Sequence, residues 1–379
     1  MFEYETLKVI WWLFVGILLL GFAIMDGHDM GVGTLLPFVG KTDDERRVII
    51  NTVAAHWEGN QVWFITAGGA IFAAWPLVYA TAFSGFYWAM MAVLWALFFR
   101  PVGFDYRSKI ANPTWRSSWD WALFVGGAVP PFIFGVAFGN LLQGVPFHFD
   151  DELRSTYTGT FWQLLNPFAL LAGVVSTAMI TAHGANYLMI RTEGEIYRRS
   201  RTAAIVLGVL SLAAFAAAGV WVMNSIAGFV VTSGNLPGAL PNPLDKTVVV
   251  QAGAWMHNYS AYPLTQLVPL IAFVGGATAI LLTYMHKPTG AFIGSSLSLL
   301  GIIGTAGVSM FPFLMPSSTD PRSSLTVWDS VSSHLTLELM FWVTLIFLPL
   351  IVVYTSWAYK VMSGKVTVDY IKGNDHSAY

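Results

Sequence analysis

Asp26 and Asp29 stand three residues apart in GFAIMDGHDMGVG, residues 21–33, where an apolar run ends. Carboxylates next to a low-dielectric medium hold protons that water would strip away, and ionisable groups at membrane depth mark proton or ion pathways. The next apolar run opens with HWEGNQVW, which brings His56, Glu58 and Gln61, and a later one closes with FFRPVGFDYRSK, which brings Arg100 and Asp105. A guanidinium beside a carboxylate keeps that carboxylate ionised. Asp26, Asp29, Glu58, Arg100 and Asp105 therefore form a candidate proton relay, with Asp26 and Glu58 as preferred carriers because both abut apolar helix. Ordinary paired charges at helix ends are the competing reading. His28 is expected to point away from Asp26 and Asp29, which share a helical face at i, i+3.

The elements that must position these residues follow from hydropathy. Mean hydropathy is +0.61. Of the 379 residues, 55% are hydrophobic and only 11% charged, so a group of charges at one depth stands out. Apolar runs of about 20 residues predict transmembrane helices: Val9–Met25, Val62–Tyr79, Phe83–Phe99, Trp121–Leu142, Phe161–Ile190, Ala203–Met223, Leu264–Met285, Ala291–Leu314 and Met340–Tyr359. Nine helices make this an all-α polytopic membrane protein with one integral membrane domain over 1–379. The first run lacks a basic start and a small-residue cleavage pattern, so it is expected to be a retained anchor. With the N-terminus periplasmic and the C-terminus cytoplasmic, only Lys8, Arg154, Lys246 and Arg322 of the 19 Lys and Arg residues fall outside, as the positive-inside rule requires. Val9 to Asp26 is then about 25 Å of helix at 1.5 Å per residue, which puts Asp26 near the inner edge of a hydrocarbon layer about 30 Å thick. The segment Gly228–Pro263, with NLPGALPNPLDK, reads as an irregular outer loop.

Other chemistries lack their residues. Zero cysteines remove disulfides, thiolate metal sites and thiol nucleophiles. A net charge of −2 and scattered basic residues give no nucleic-acid surface. No metal site is evident, and of the histidines only His183 sits inside a long predicted span, where a hydrogen-bonded structural role outweighs ligation. Trp63, one turn into the second predicted helix, is a candidate to line something other than lipid. Asn140, Gln143, Gln163 and Asn166 near the outer edge are read as amides that satisfy broken helix ends, and a partner or quinone contact is the alternative. Glycine-bearing faces at Gly27, Gly31, Gly68 and Gly69 suit close helix packing.

VIWWLFVG, GFAIMDGHDMGVGTLLPFVG, DDERRVIINTVAAHWEGNQVWFITAGGAIFAAWP, FSGFYWAMM, FFRPVGFDYRSK, VAFGNLLQGVPF, LLNPFALLAGVVS, GAWM and FPFLMPSS together resemble subunit II of cytochrome bd ubiquinol oxidases along the whole chain. The resemblance implies two four-helix bundles plus a further helix (helices 1–4 about 9–142, 5–8 about 161–314, 9 about 340–359), in the bacterial inner membrane. It implies a heterodimer with subunit I, which carries two b-type haems, one d-type haem and the quinol-oxidising loop, in an oxidase that reduces dioxygen to water and builds proton motive force without pumping. It implies no catalytic residue in this chain, protons moving by Asp26, Asp29, Glu58, Arg100 and Asp105, and oxygen access beside Trp63. A small single-helix accessory subunit and a bound quinone or lipid are compatible with it. His28 stands where phenylalanine is common in that family, and Glu58 where aspartate is familiar. A secondary transporter with its coupling site at the carboxylates, or a purely structural partner subunit, are the readings of other classes; edge placement of the charges and the lack of an evident repeat weigh against the first.

Overall fold

The computed structural model describes residues 2–234, 237–373 and 379. Its helices are α1 (Tyr4–Val39), α2 (Asp43–Asn51), α3 (Trp57–Ala74), α4 (Pro76–Gly85), α5 (Tyr87–Tyr106), α6 (Pro113–Gln143), α7 (Pro167–Arg191), α8 (Gly194–Ser225), α9 (His257–Ala261), α10 (Leu267–Tyr284), α11 (Pro288–Met310), α12 (His334–Val361) and α13 (Val368–Gly373). Among the described residues, eight are long and apolar enough to cross a membrane: α1, α5, α6, α7, α8, α10, α11 and α12. The ninth expected span is α3, whose 18 residues open on the polar WEGNQ and so dilute its hydropathy. It starts earlier than expected, at Trp57, and stops earlier because Trp75 precedes Pro76. The pyrrolidine ring disfavours the α conformation at that position, and Trp75 takes φ −132°, ψ 73°, so α4 begins as a separate short helix.

Helix α1 continues well past the end of its apolar run. Its 36 residues span about 54 Å at 1.5 Å per residue, so Asp26, His28 and Asp29 lie inside a helix and not at its end. α1, α3, α5 and α6 pack on one another, as do α7, α8, α10 and α11, and α1 against α7 joins the two groups. α12 lies against α1 and α3 with most of its apolar surface outward. The seam between α1 and α7 is glycine on glycine. A Cβ at Gly31 would meet the Ile180 carbonyl oxygen at 2.4 Å, and one at Gly184 would meet the backbone of Gly31 at 2.6 Å. At the same level of α1, Gly127 of α6 approaches the Met30 carbonyl equally closely. Such small-residue contacts let backbones pack where no hydrophobic effect drives helices together. Of the four glycines expected to serve packing, Gly31 does so between helices of this chain and Gly27 abuts Ile180, whereas Gly68 and Gly69 face open space.

The connections at the end of the molecule that carries the N-terminus of α1 hold the strands. β1 (Phe147–Phe149) pairs antiparallel with β2 (Ser155–Tyr157), β3 (Ala227–Gly234) with β4 (Lys246–Ala252), and β5 (Phe313–Met315) with β6 (Leu325–Thr326). The segment expected to be an irregular loop from Gly228 thus contains a hairpin, and its Phe229 and Trp255 are buried against Phe168, Val222, Met310 and Phe313 of the neighbouring elements. Runs such as VVTSG and KTVVVQA are β-branched; the Pro and Gly between them mark the connection, of which Asn235 and Leu236 lie outside the described residues. The outer amides close on one another as expected: Gln143 Nε2 donates to Asn166 Oδ1 (2.8 Å), Asn166 Nδ2 to Asn140 Oδ1 (3.1 Å), and Asn166 Oδ1 caps α7 at Ala169 N–H (2.9 Å).

Lys246 on β4 and Asp329 in the last outer connection form a buried ion pair at 2.8 Å. Burial pushes the Lys246 ammonium below the usual lysine range and the Asp329 carboxyl above the usual carboxylate range, each opposed by the other's charge. Removing one partner strands the other, which costs about 3–5 kcal/mol. Lys246→Met and Asp329→Leu singly are expected to lower the thermal midpoint of the purified assembly, and the double variant to recover most of the loss. Equal losses in single and double variants would show that the pair is not coupled.

At the opposite end, after α1, α2 starts with a capping box: Thr42 Oγ1 accepts from Glu45 N–H (3.2 Å), and Glu45 Oε2 accepts from Thr42 N–H (3.3 Å) and Lys41 N–H (2.7 Å). Burial alone would raise the Glu45 carboxyl, but Arg199 at 2.8 Å and the two N–H donors hold it below the usual range. A depressed folded-state value contributes stability above the unfolded value and loses it as pH falls through the folded one. Glu45→Gln is therefore expected to destabilise at neutral pH and to be indistinguishable from wild type in acid; a deficit independent of pH in thermal melts would contradict the linkage.

Candidate functional site

At the end of the molecule that carries the C-terminal half of α1, α1, α3, α5, α7 and α12 enclose two adjoining polar groups. In the first, Arg100 of α5 grips Asp26 of α1 bidentately, Nη1 to Oδ2 at 2.9 Å and Nη2 to Oδ1 at 2.5 Å. Its guanidinium lies 5.4 Å from the Trp57 ring. Both side chains are buried. The fork-to-carboxylate geometry explains why arginine holds this position, since a lysine ammonium offers no matched pair of donors.

In the second group, Asn60 of α3 donates from Nδ2 to Asp29 Oδ2 (2.7 Å) and to His56 Nδ1 (3.0 Å), while its Oδ1 accepts from the Tyr359 hydroxyl of α12 (2.9 Å). His56 Nε2 lies 2.8 Å from the Tyr187 hydroxyl of α7, which donates to the Thr52 carbonyl (3.2 Å). His28 sits against this set: its ring is 4.1 Å from that of Tyr187, its Nδ1 is 2.9 Å from the Ile24 carbonyl, and its Nε2 is 3.3 Å from Asp29 Oδ1. His183 of α7 reaches the same Ile24 carbonyl from Nε2 at 3.1 Å and Ser295 Oγ from Nδ1 at 2.8 Å.

Of the residues singled out by sequence, Asp26, Asp29 and Arg100 come together inside the protein, while Glu58 and Asp105 do not join them. Both are exposed and lie within electrostatic reach of Tyr379. Helix geometry is the reason. Asp105 is five residues beyond Arg100, about 140° around the helix at 100° per residue, and Glu58 is about 200° from Asn60. His28, expected to point elsewhere, turns to Asp29. Asn60, Tyr187 and Tyr359 were missed because amides and phenols in apolar helices carry no charge signal; the i, i+4 spacing of His56 and Asn60 was the available clue. Trp63 is half-buried, its ring lying where a Cβ of Gly21 would stand (2.4 Å), beside Phe22 and Phe64.

His28, Asp29 and His56 each offer one ligand-type atom within 4.8 Å of the others. Asn60 already occupies the His56 Nδ1 lone pair and one Asp29 oxygen, so the trio reads as a hydrogen-bonded network and not as a metal centre.

Fold and site define a polytopic helical membrane protein that keeps an ion pair and a histidine–carboxylate network inside its helices. Residues 7–362 match the family model described as cytochrome bd terminal oxidase subunit II, and the chain belongs to that family. It is 56% identical over 379 residues, all of both chains, to cytochrome bd-I ubiquinol oxidase subunit 2 of Escherichia coli K12. It is 52% identical, again over both full chains, to the probable cytochrome oxidase subunit 2 of Haemophilus influenzae. The Bacillus subtilis cytochrome bd ubiquinol oxidase subunit 2 is 31% identical over 96% of this chain and 97% of its own. The bd oxidase structure from Geobacillus thermodenitrificans shares the fold, with a TM-score of 0.62 and 14% identity over 94% of this chain and 98% of that one.

Haem comes with the family, and the imidazoles buried in this chain do not fit as its axial ligands. His183 has both nitrogens engaged and its face stacked on Phe292 at 4.3 Å. His56 has both nitrogens hydrogen-bonded and stacks on Tyr359, and His28 is pressed against Tyr187. The cavity between α7, α8, α10 and α11, lined by Ser295 and Ser298, measures about 20 Å³, room for about one water.

Proposed function

We propose that this chain carries protons from the cytoplasm into a quinol oxidase of the inner membrane. Membership of the family makes the chain a subunit of a cytochrome bd quinol oxidase, built with a subunit I and containing haem. Beyond that, we assign the d-type and b-type haems and the quinol-oxidising surface to subunit I, since no imidazole buried here fits a haem. Haem supplies electron transfer to dioxygen, which becomes water. Protons drawn from the cytoplasm, while quinol releases its own outside, build proton motive force without pumping.

The observation that carries the proton role is the joining of Asp26–Arg100 to the Asp29, His28, His56 and Asn60 network inside the inner halves of five helices. Arg100 keeps Asp26 charge-balanced, and the second group, whose hydroxyl, imidazole, amide and carboxyl members are hydrogen-bonded to one another, lies within electrostatic reach of that pair. Glu58 and Asp105, exposed near Tyr379, are the entry groups that collect protons from water. The 15 basic residues assigned inside support a periplasmic N-terminus and cytoplasmic C-terminus. The whole of 1–379 acts as one membrane domain. The apolar cluster of Trp63, Phe22, Phe64 and Phe134 supports oxygen access past Trp63. The open small-residue face of α3 at Gly68 and Gly69 suits a helix of subunit I, and the outward apolar side of α12 suits a lipid, a bound quinone or a single-helix accessory subunit.

The test is to isolate the complex through a tag on this chain, record its reduced-minus-oxidised spectrum, and follow quinol-driven oxygen uptake with Asp29→Asn and Glu58→Gln. A red-region haem d band, with uptake slowed in both variants and haem content intact, is expected. Full uptake in both variants would leave the chain a structural partner, and a colourless preparation would overturn the oxidase reading.

A further inference from the structure

The donors and acceptors around Asp29 do not balance unless one more proton is present. The Ile24 carbonyl can only accept, so His28 Nδ1, 2.9 Å away, carries a hydrogen. In a neutral imidazole the other nitrogen is then a bare acceptor. That nitrogen, Nε2, faces Asp29 Oδ1 at 3.3 Å, and in an ionised carboxylate Oδ1 is also a bare acceptor. Neither atom has any other hydrogen-bond partner, although both are buried.

His56 does not resolve the conflict. The Asn60 amide is oriented by the Tyr359 hydroxyl donating to its Oδ1 and by Asp29 Oδ2 accepting from its Nδ2, so Nδ2 also donates to His56 Nδ1. The Tyr187 hydroxyl gives its hydrogen to the Thr52 carbonyl and so must receive one from His56 Nε2. His56 is thereby fixed as the neutral Nε2–H tautomer. Its Nδ1, 3.5 Å from Asp29 Oδ1, already accepts from Asn60 and has no hydrogen to offer that oxygen.

Opposed lone pairs in a water-poor interior are unfavourable, and unmet buried polar atoms cost about 1–3 kcal/mol each. We propose that a proton is held between His28 Nε2 and Asp29 Oδ1, either as a carboxylic acid donating to imidazole or as an imidazolium donating to carboxylate. This pair is the loading position of the inner network. The proposal deepens the proton-uptake reading and, as a role, rests on it. Every charged or titratable group packed around the pair is accounted for: Asp26 is neutralised by Arg100, His56 is neutral as above, His183 is tied to Ile24 and Ser295, Tyr187 and Tyr359 are donors, and Arg191 of α7 is bonded to the Met362 carbonyl. Loss of the proton leaves Asp29 Oδ1 without a donor and facing the free lone pair of His28 Nε2, so the emptied state favours reloading.

The experiment is infrared difference spectroscopy on the purified complex across pH, in H₂O and D₂O, with Asp29→Asn and with His28→Phe, which keeps the ring against Tyr187. A deuterium-sensitive protonated-carboxyl or imidazolium band at neutral pH is expected. It should disappear in Asp29→Asn and titrate with a midpoint displaced by about one pH unit in His28→Phe, a tenfold change in proton affinity. The pH profile of oxygen uptake should move by the same amount. A wild-type complex without such a band at neutral pH, or a band unchanged in both variants, overturns the shared proton. One equivalent of transition metal that is lost in His28→Phe overturns it as well. A band that behaves as expected while oxygen uptake ignores both variants supports the shared proton and overturns the uptake role instead.

Discussion

Arg100→Leu is expected to yield little assembled complex, and what assembles should be inactive. Asp26 has no other strong partner in the structure, and its bidentate guanidinium offsets the cost of holding a carboxylate inside α1. Breaking a buried pair from one side costs about 3–5 kcal/mol, against a total stability of about 5–15 kcal/mol for an ordinary folded protein. Arg100→Lys is not conservative here, because one ammonium cannot replace two parallel donors or lie flat near Trp57. The double variant Arg100→Leu/Asp26→Leu removes both charges and should restore assembly, read as haem content and thermal midpoint, without restoring oxygen uptake. Recovery of uptake in the double variant would show that the ion pair is structural only. An Arg100→Leu complex as stable as wild type would contradict the buried-pair account altogether.

Gly31→Val is expected to have an effect of similar size by a different cause. Adding methylenes to a tight core costs about 1–3 kcal/mol when neighbouring side chains can shift. Here the obstacles are backbone atoms, the Ile180 carbonyl oxygen at 2.4 Å and the Gly184 Cα at 2.9 Å, and the helix itself must retreat. Moving α7 away breaks the His183–Ile24 bond and the contact of His28 with Tyr187, so the seam and the site fail together. Even Gly31→Ala should lower the thermal midpoint measurably, whereas Gly68→Ala, which meets nothing within 4 Å in this chain, should fold normally on its own account. Equal behaviour of Gly31→Ala and Gly68→Ala in melts and haem content would refute the close crossing.

The membrane helices were legible because the signal is additive over about 20 residues. The Asp26–Arg100 pairing was legible in kind, since a buried carboxylate needs a cation at its own level. What could not be read was azimuth. Glu58 and Asp105 lie near the right residues along the chain but on the wrong side of their helices, and nothing in a helix that is apolar all round tells which side faces inward. The neutral members, Asn60, Tyr187 and Tyr359, became visible only once α7 and α12 were placed beside α1 and α3. The β3–β4 hairpin was hidden by the prolines and glycines of its own connection, which dominated a strand signal of only a few residues on each side.

The outer end of α1 is stapled to the last part of the chain: Tyr4 donates to the Ser332 carbonyl, Lys8 to Trp328, and Trp11 to Leu337. Lys8 is fully buried and also reaches the carbonyls of Pro237 and Ala239. A ribosome delivers these partners in strict order, with the first helix complete long before residues 328–337 exist. Through most of synthesis the Lys8 ammonium has none of its carbonyl acceptors, so this end of the N-terminal helix gains its full set of ties only once residues 328–337 are in place. Closure of this face is therefore a late event in biogenesis: a protein truncated before Trp328 leaves the Lys8 ammonium with only the Pro237 and Ala239 carbonyls and the first helix without its Trp11 and Tyr4 ties.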